Sequence, residues 1–413
     1  MCVYLNTISP LNKFKELLRS KYFVDKTMLI EKTNDILDTR DKFLCITKPR
    51  RFGKSSVADM LGAYYSKAFN SEDVFNKLNI SKVNNYKEHL NKYNVIYMTL
   101  NKLPKEGNTY FDYINMIQGY LIKDITKKFP FIKAEDYYSI DDIFSATGEK
   151  FVFIIDEWDY IFSHNLFKEN QDDFLEFLRN ILKDKEYVSL AYMTGVLPIK
   201  QYSTGSALNM FNEYTMLNDR IYAEYFGFTE EEVKGLCSKE NSVSFKEIKE
   251  WYNGYTTNKG KSIYNPRSVV CALRDDYCKS YWTSTGAMDE VLFYLKYNIA
   301  EVRNDIIEMV SKNSVEVYLD EEYRAGQDTL ETKEEIYSAM IVYGFLSYYD
   351  GILKIPNKEL MKEFEKALRD KSFGKIVTII GNSKKMIKEK DYAQKLREEN
   401  EDKKILAVTI CYN

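Results

Sequence analysis

The sequence predicts an α/β fold: a parallel β-sheet with helices on both faces, followed by a mostly helical region. Three observations predict it. Short apolar runs alternate with segments of helical periodicity up to about residue 225. One run, Phe43–Thr47, feeds a basic loop that opens a helix. Another, Phe151 to Ile155, ends in two acids, Asp156 and Glu157. Strands joined through helices favour parallel pairing with both faces covered.

The elements follow in order. Residues 1 to 40 read as helical and turn-rich, and Phe43–Thr47 as a short buried strand. From Ser55, the apolar positions Val57, Met60, Leu61, Tyr64, Tyr65 and Ala68 recur at helical spacing. "NVIYMTL", from Asn94, is a second strand. Ile114, Ile117, Leu121 and Ile125 mark a helix. "KFVFIIDEWD" is the strongest strand signal, "FLEFLRNILK" a helix and "VSLAYMTGV" a further strand. Beyond residue 225 the character changes. In "FTEEEVKGLC", Thr229 with Glu232 three residues on predicts a capping box. "WYNGYTTNKGKSIYNPRSVV" is turn-rich and aromatic, and helices are expected to predominate from 287 to 375. The last stretch, "KDYAQKLREENEDKKILAVTICYN", reads as a charged helix and then a strand.

Composition narrows the function. At 413 residues the chain is long enough for two or three domains, at roughly 150 residues each. A net charge of −3 argues against wholesale electrostatic binding of nucleic acid, although a local basic groove is compatible with it. No apolar run is long enough to span a bilayer, so no membrane partner is expected. The first residues lack the basic-then-apolar layout of a secretory signal. Six scattered cysteines without a C-x-x-C pair fit thiols in a reducing cytosol, which predicts a cytoplasmic location. Two histidines, His89 and His164, leave little room for mechanisms built on several imidazoles.

The chemistry concentrates in "TKPRRFGKSS". A phosphate-binding loop needs backbone N–H groups converging at a helix N-terminus, a lysine for the outer phosphates and a hydroxyl for Mg²⁺. Lys54 and Ser55 fit the last two roles, and Gly53 permits close backbone approach. Arg51, Phe52, Gly53, Lys54 and Ser55 can all donate N–H groups. Lys48 stands where a glycine usually opens such a loop, and Pro49 cannot donate, so the entrance is expected to be built differently. Arg50 and Arg51 either add charge near phosphate or face solvent. Asp156 fits the carboxylate that holds the metal shell, and Glu157 the base that polarises water. The alternative is a strand ending in polar caps, with Asp159 as a helix N-cap. Thr194, where a strand leaves the sheet, either senses the γ-phosphate or is a plain turn hydroxyl. Arg220 is either an arginine finger, in cis or toward a neighbouring subunit, or a surface residue.

These residues, with "YFVDKT" (Tyr22 to Thr27), "TGVLPI", "FGFTEEEV", "WYNGY", "IYNPRSVV", "YWTSTG" and "LKIPNKEL", give the chain its resemblance to a family. It resembles the AAA-ATPase-like proteins of bacteria and archaea, a divergent P-loop group often fused to a PD-(D/E)XK nuclease-like tail. The likeness spans about residues 20 to 360. In that family the loop reads R-P-R-R-F-G-K-S, so the missing glycine is a family trait, and Lys48 replaces the first arginine.

The resemblance implies a P-loop NTPase sheet in residues 1–225, a helical, turn-rich accessory domain in 226–300, and a mostly helical 301–413 ending in a truncated nuclease-like remnant. It implies ATP and Mg²⁺ as cofactors. Arg51, Phe52, Gly53, Lys54, Ser55 and Ser56 would bind nucleotide, Ser55 and Asp156 would hold the metal, and Glu157 would serve the attacking water. The nuclease core is expected to be deleted between about 375 and 391, because no E-x-K stands in a strand context after Leu360. Glu247-Ile248-Lys249 and Glu331-Thr332-Lys333 spell the pattern in helix-like surroundings. The expected function is a Mg-ATP-dependent ATPase, with an oligomer and a protein or nucleic-acid partner left open. The rival readings are a nucleotide-gated switch with little turnover and a nucleic-acid-processing enzyme.

Overall fold

The structure, a computed structural model, describes residues 2–105, 107, 109–199, 207–238, 243–282, 300–319 and 332–369. The expected remnant after 369, with its supposed deletion, lies outside the described residues, as do Glu331 and most of "YWTSTG".

Five strands form the main sheet: β1 (Phe43–Thr47), β2 (Asn94–Thr99), β3 (Phe151–Asp156), β4 (Val188–Gly195) and β5 (Asn212–Tyr214). Their order is β2-β3-β4-β1-β5, and every pairing is parallel. All residues of β1, β3 and β4 are buried, as a sheet covered on both faces requires. Alternate residues feed two cores. Cys45, Phe153, Ile155 and Met193 meet the helices Tyr110–Lys128 and Gln171–Leu182 on one face. Leu44, Ile46, Val152, Ile154 and Tyr192 meet Ser9–Leu18 and Lys54–Tyr65 on the other.

This topology decides what faces what. Because β4 lies between β1 and β3, the basic loop after β1 and the acids ending β3 stand one strand apart. Parallel strands bring all their C-terminal ends to one edge, where crossover loops leave a crevice.

The structure adds strands that the sequence pattern did not reveal. β5 is three residues long, polar and at the edge, so it carries no apolar run. β6 (Phe228–Thr229), β7 (Tyr255–Thr256) and β8 (Ser262–Tyr264) form an antiparallel sheet in the order β6-β8-β7. β9 (Val315–Glu316), β10 (Ser347–Tyr349) and β11 (Ile352–Lys354) form another, inside the region expected to be helical. Strands of two or three residues are too short for a period to register. The Thr229–Glu232 capping box is present and opens the Glu230–Cys237 helix. The E-x-K at 247–249 is structural: Glu247 closes the capping box of Phe245–Tyr252, and Lys249 pairs with Glu230.

The accessory segments clasp the loop after β1. Phe52 is 1% exposed and meets the Tyr255 ring edge-on at 5.2 Å. Such a contact contributes about 0.5–1.5 kcal/mol beyond burial. The Gly227 N–H donates to the Phe52 carbonyl at 3.1 Å. In "WYNGY", Gly254 has φ +144, and a Cβ there would lie 1.4 Å from the Pro356 carbonyl oxygen, so only glycine fits.

Lys48 replaces the usual opening glycine with a buried ion pair. Its side chain is 2% exposed; Nζ donates to the Thr215 carbonyl at 3.0 Å and lies 3.6 Å from Asp219 Oδ2. Asp219 Oδ1 in turn accepts the Asn258 N–H. The loop entrance is therefore pinned to the end of β5 and to the accessory hairpin. Lys48→Ala strands the buried Asp219 charge and is expected to cost about 3–5 kcal/mol. Urea unfolding measures it; a loss under 1 kcal/mol would contradict this role.

Candidate functional site

The loop conformation follows from two residues. Arg51 (φ 72°) and Gly53 (φ 89°) are left-handed, flanking Phe52. Left-handed steps in a tight turn aim successive N–H groups into one concavity, which suits an anion. Gly53 adopts that angle freely, while a side chain there would be strained. Arg51 carries the strain, of order 1–3 kcal/mol. The helix Lys54–Tyr65 starts at once, with Gly53 as its N-cap.

Lys54 is the electrostatic centre. Its Nζ donates to the Lys48 carbonyl (2.8 Å) and the Pro49 carbonyl (2.9 Å). Pro49, which has no N–H to give, thus serves through its oxygen. Burial pulls the Lys54 pKa down to about 8, against the opposing pull of Asp159, Asp156 and Glu157.

Across the crevice, Asp156 is 3% exposed at the end of β3. Burial raises its pKa, while the Ser55 hydroxyl and the Lys54 charge act to lower it. Its Oδ1 also accepts the Glu157 N–H at 3.0 Å. A serine hydroxyl beside a buried carboxylate is a hard-oxygen pair, and this donor set fits Mg²⁺. Glu157 has φ 54°, a strained turn that swings its side chain off the strand axis. Its pKa is raised, by burial first and by Asp156 second, and the nearby Asn101 side chain acts to lower it.

The loop, Lys54, Ser55 and Glu157 line one cavity of about 840 Å³, bounded also by the Pro266–Asp275 helix, while Asp156 sits behind its wall. That helix presents Arg267, Val270, Cys271 and Arg274, a stripe at i, i+3, i+4 and i+7. Arg51 stands in a cationic cluster, with Arg267 and Arg50 repelling it. The far end is apolar, formed by Phe14, Phe23, Val24 and Met60 among others. Ser55 and Ser56 lie on the same wall.

Three expected residues sit differently. Thr194 is fully buried, and its hydroxyl donates to the Ile46 carbonyl at 2.7 Å, tying β4 to β1. Its proton is spent within the sheet, which favours a structural hydroxyl over a phosphate sensor. Arg220 begins a 3-10 turn, its Nε bonded to Asn218 Oδ1 at 2.7 Å, and it lines a separate cavity of about 760 Å³ with Lys26 and Glu224. It does not line this chain's phosphate crevice. Asp159 occupies an N-cap position without capping: its Oδ2 accepts the Val196 and Leu197 N–H groups at 3.0 and 2.9 Å.

Asn101, Arg267 and Arg274 were missed. Asn101 belongs to no motif. Asn265-Pro266 does signal a helix start, and the Asn265 side chain caps Arg267 and Ser268. The sequence could therefore place Arg267 on a first turn, but not against the loop.

A left-handed loop on a helix N-terminus, with Ser55 of that helix beside Asp156 at the end of another strand of a parallel sheet, defines a P-loop NTPase. Residues 10–204 match the family model described as Predicted AAA-ATPase. Several solved structures are similar to the chain, two of them as follows. The Walker-type ATPase of Pyrococcus abyssi is 12% identical over 82% of this chain and 94% of its own, with a TM-score of 0.38. The ORC2 protein of Aeropyrum pernix, in its ADPNP–ADP complexes, is 10% identical over 87% and 94%, with a TM-score of 0.36. No curated protein matches the chain. Among the described residues no helix is long and apolar enough to cross a membrane.

One turn beyond Ser55, Asp59 accepts the Tyr97 hydroxyl at 2.7 Å, with Lys13 at 3.8 Å. Burial outweighs both partners and raises its pKa to about 6. A carboxyl with a raised folded pKa costs stability as pH climbs through about 4 to 6. Asp59→Asn is therefore expected to be more stable than wild type at pH 7.5 by about 1–3 kcal/mol, with the gap closing near pH 4. Denaturation midpoints across that range test it; a pH-independent gap would refute the assignment.

Proposed function

We propose that the chain is a Mg-ATP-binding ATPase that hydrolyses the γ-phosphate by in-line attack of water. The observation that carries this reading is Asp156 beside Ser55, at the helix N-terminus that the left-handed loop opens, with Glu157 next to it. In this reading residues 1–225 hold the nucleotide, 226–300 supply the Arg267 wall, and the described part of 301–413 packs against both, through Gly344 on Pro49 and Glu359 on Ser268.

The loop N–H groups and Lys54 grip the outer phosphates, and the apolar end takes the base. Ser55 and Asp156 would hold Mg²⁺, which supplies charge neutralisation at the phosphoryl oxygens. Glu157 orients the water and receives its proton as the water oxygen bonds to the γ-phosphorus and the bond to the β–γ bridging oxygen breaks. Its raised pKa makes it a better base than a solvated glutamate. Arg267, opposite the loop and without an ion-pair partner among the described residues, meets the γ-phosphate charge.

The Asn101 side chain, close enough to Glu157 to act on its pKa, supports a second reading, a nucleotide-gated switch in which the amide competes with water for the glutamate. Tight Mg-ATP binding with phosphate release near zero would favour the switch. The nucleic-acid reading rests on a segment outside the described residues, and metal-dependent cleavage of DNA or RNA by the purified chain would revive it.

Isothermal titration with ATP, ADP and GTP, followed by phosphate release, tests the proposal. Lys54→Ala is expected to abolish binding, and unchanged ATP affinity would defeat the assignment. Glu157→Gln should bind Mg-ATP normally and release phosphate about 10²-fold more slowly or worse.

The Lys54 pKa sets a pH dependence. An amine that titrates near 8 when free must be recharged to hold a polyanion above that pH. Affinity is expected to fall about tenfold from pH 7 to pH 9, with proton uptake on binding. Titration in buffers of different ionisation enthalpy reads that uptake; a flat profile would show that Lys54 is not the group that grips phosphate.

A further inference from the structure

Three motifs that the nucleotide reading leaves unused, "IYNPRSVV", "YWTSTG" and "LKIPNKEL", converge on one carboxylate. Glu359 is 1% exposed, in the first turn of the Lys358–Arg369 helix. Its Oε1 accepts the backbone N–H groups of Tyr281 and Trp282, and its Oε2 accepts the Ser268 hydroxyl at 2.8 Å. Segments 77 to 91 residues away are thus joined to it by charge-assisted bonds. Ser268 is itself fully buried, and it follows Arg267 directly.

The turn Asn265–Ser268 is therefore fixed at both ends. At one end Asn265 caps the helix through the N–H groups of Arg267 and Ser268, and its Nδ2 reaches the Arg50 carbonyl of the phosphate loop at 3.5 Å. At the other end Ser268 is tied to Glu359. Arg267 lies between the two anchors, facing the cavity.

We propose that Glu359, acting through Ser268, is a positioning residue that sets Arg267 against the outer phosphate, so that the Lys358–Arg369 helix governs how well the site tells ATP from ADP. The proposal rests on the nucleotide reading. Burial raises the Glu359 pKa, and three donors on one side chain work against that shift and hold the carboxyl in place. A fixed strut fits a role in placing a long arginine, whose rotamer freedom would otherwise blur its contact with phosphate. The consequence runs both ways: a nucleotide that draws Arg267 inward pulls on the Lys358–Arg369 helix through the same bond.

The test is a double-mutant cycle on the full chain, reading the ratio of ADP to ATP dissociation constants with Mg²⁺ present. A loss of folded protein alone changes both constants equally and leaves the ratio untouched. Ser268→Ala removes one hydroxyl and is expected to lower the ratio about tenfold. In an Arg267→Ala background, where the ratio is already reduced, Ser268→Ala should lower it no further. Glu359→Gln, which keeps the acceptor for Tyr281 and Trp282 and can donate to the Ser268 oxygen, should stay close to wild type.

A wild-type ratio in Ser268→Ala would overturn the inference. So would an equal drop with and without Arg267. Failure of the wild-type chain to bind Mg-ATP would instead remove the nucleotide reading itself, and this inference with it.

Discussion

A lysine ammonium buried at the end of a parallel sheet organises the rest of the molecule. Lys54 has two loop carbonyls as direct partners and three carboxylates, Asp156, Glu157 and Asp159, within electrostatic reach. Its lowered pKa records an arrangement in which burial outweighs those attractions. A charge kept at such a cost, in a concavity of left-handed N–H groups, is arranged for a polyanion. In the proposed reading the carboxylates opposite would repel that polyanion, and a divalent cation held by Ser55 and Asp156 would offset the repulsion.

The loop that carries Lys54 is clasped from outside its own domain. Lys48 anchors its start to Asp219, Phe52 is seated on Tyr255, and Asn265 reaches the Arg50 carbonyl. Gly344 backs directly onto Pro49, and its carbonyl accepts the Tyr255 hydroxyl at 2.7 Å. Loop and accessory wall are thus packed as one body around the cavity. A usual glycine-opened loop holds its shape through its own backbone. Here the shape is held by side chains that reach far along the chain, which explains how a proline and a buried lysine are tolerated at the entrance.

Much of this was legible in the residues. The strands Phe43–Thr47 and Phe151–Asp156, the helix after Gly53 and the roles open to Lys54, Ser55, Asp156 and Glu157 follow from local pattern and spacing. The illegible parts share a cause. β5 and the two small antiparallel sheets consist of strands too short to show a period. Thr194 looks like a sensor at a strand end, yet its rotamer aims at Ile46. Asp159 looks like a cap, yet its carboxylate reaches the turn after β4.

By itself the sequence determined where the basic loop, the paired acids and the α/β alternation lie, because each depends on contacts within a few residues or on a period along one element. Only the tertiary structure decided that β4 separates loop from acids, that Asn101 stands near Glu157, and that Glu359 backs the turn that carries Arg267. Those relations join residues tens to hundreds of positions apart. Chain crossing and packing set them, and no local pattern encodes which distant surface a side chain will meet.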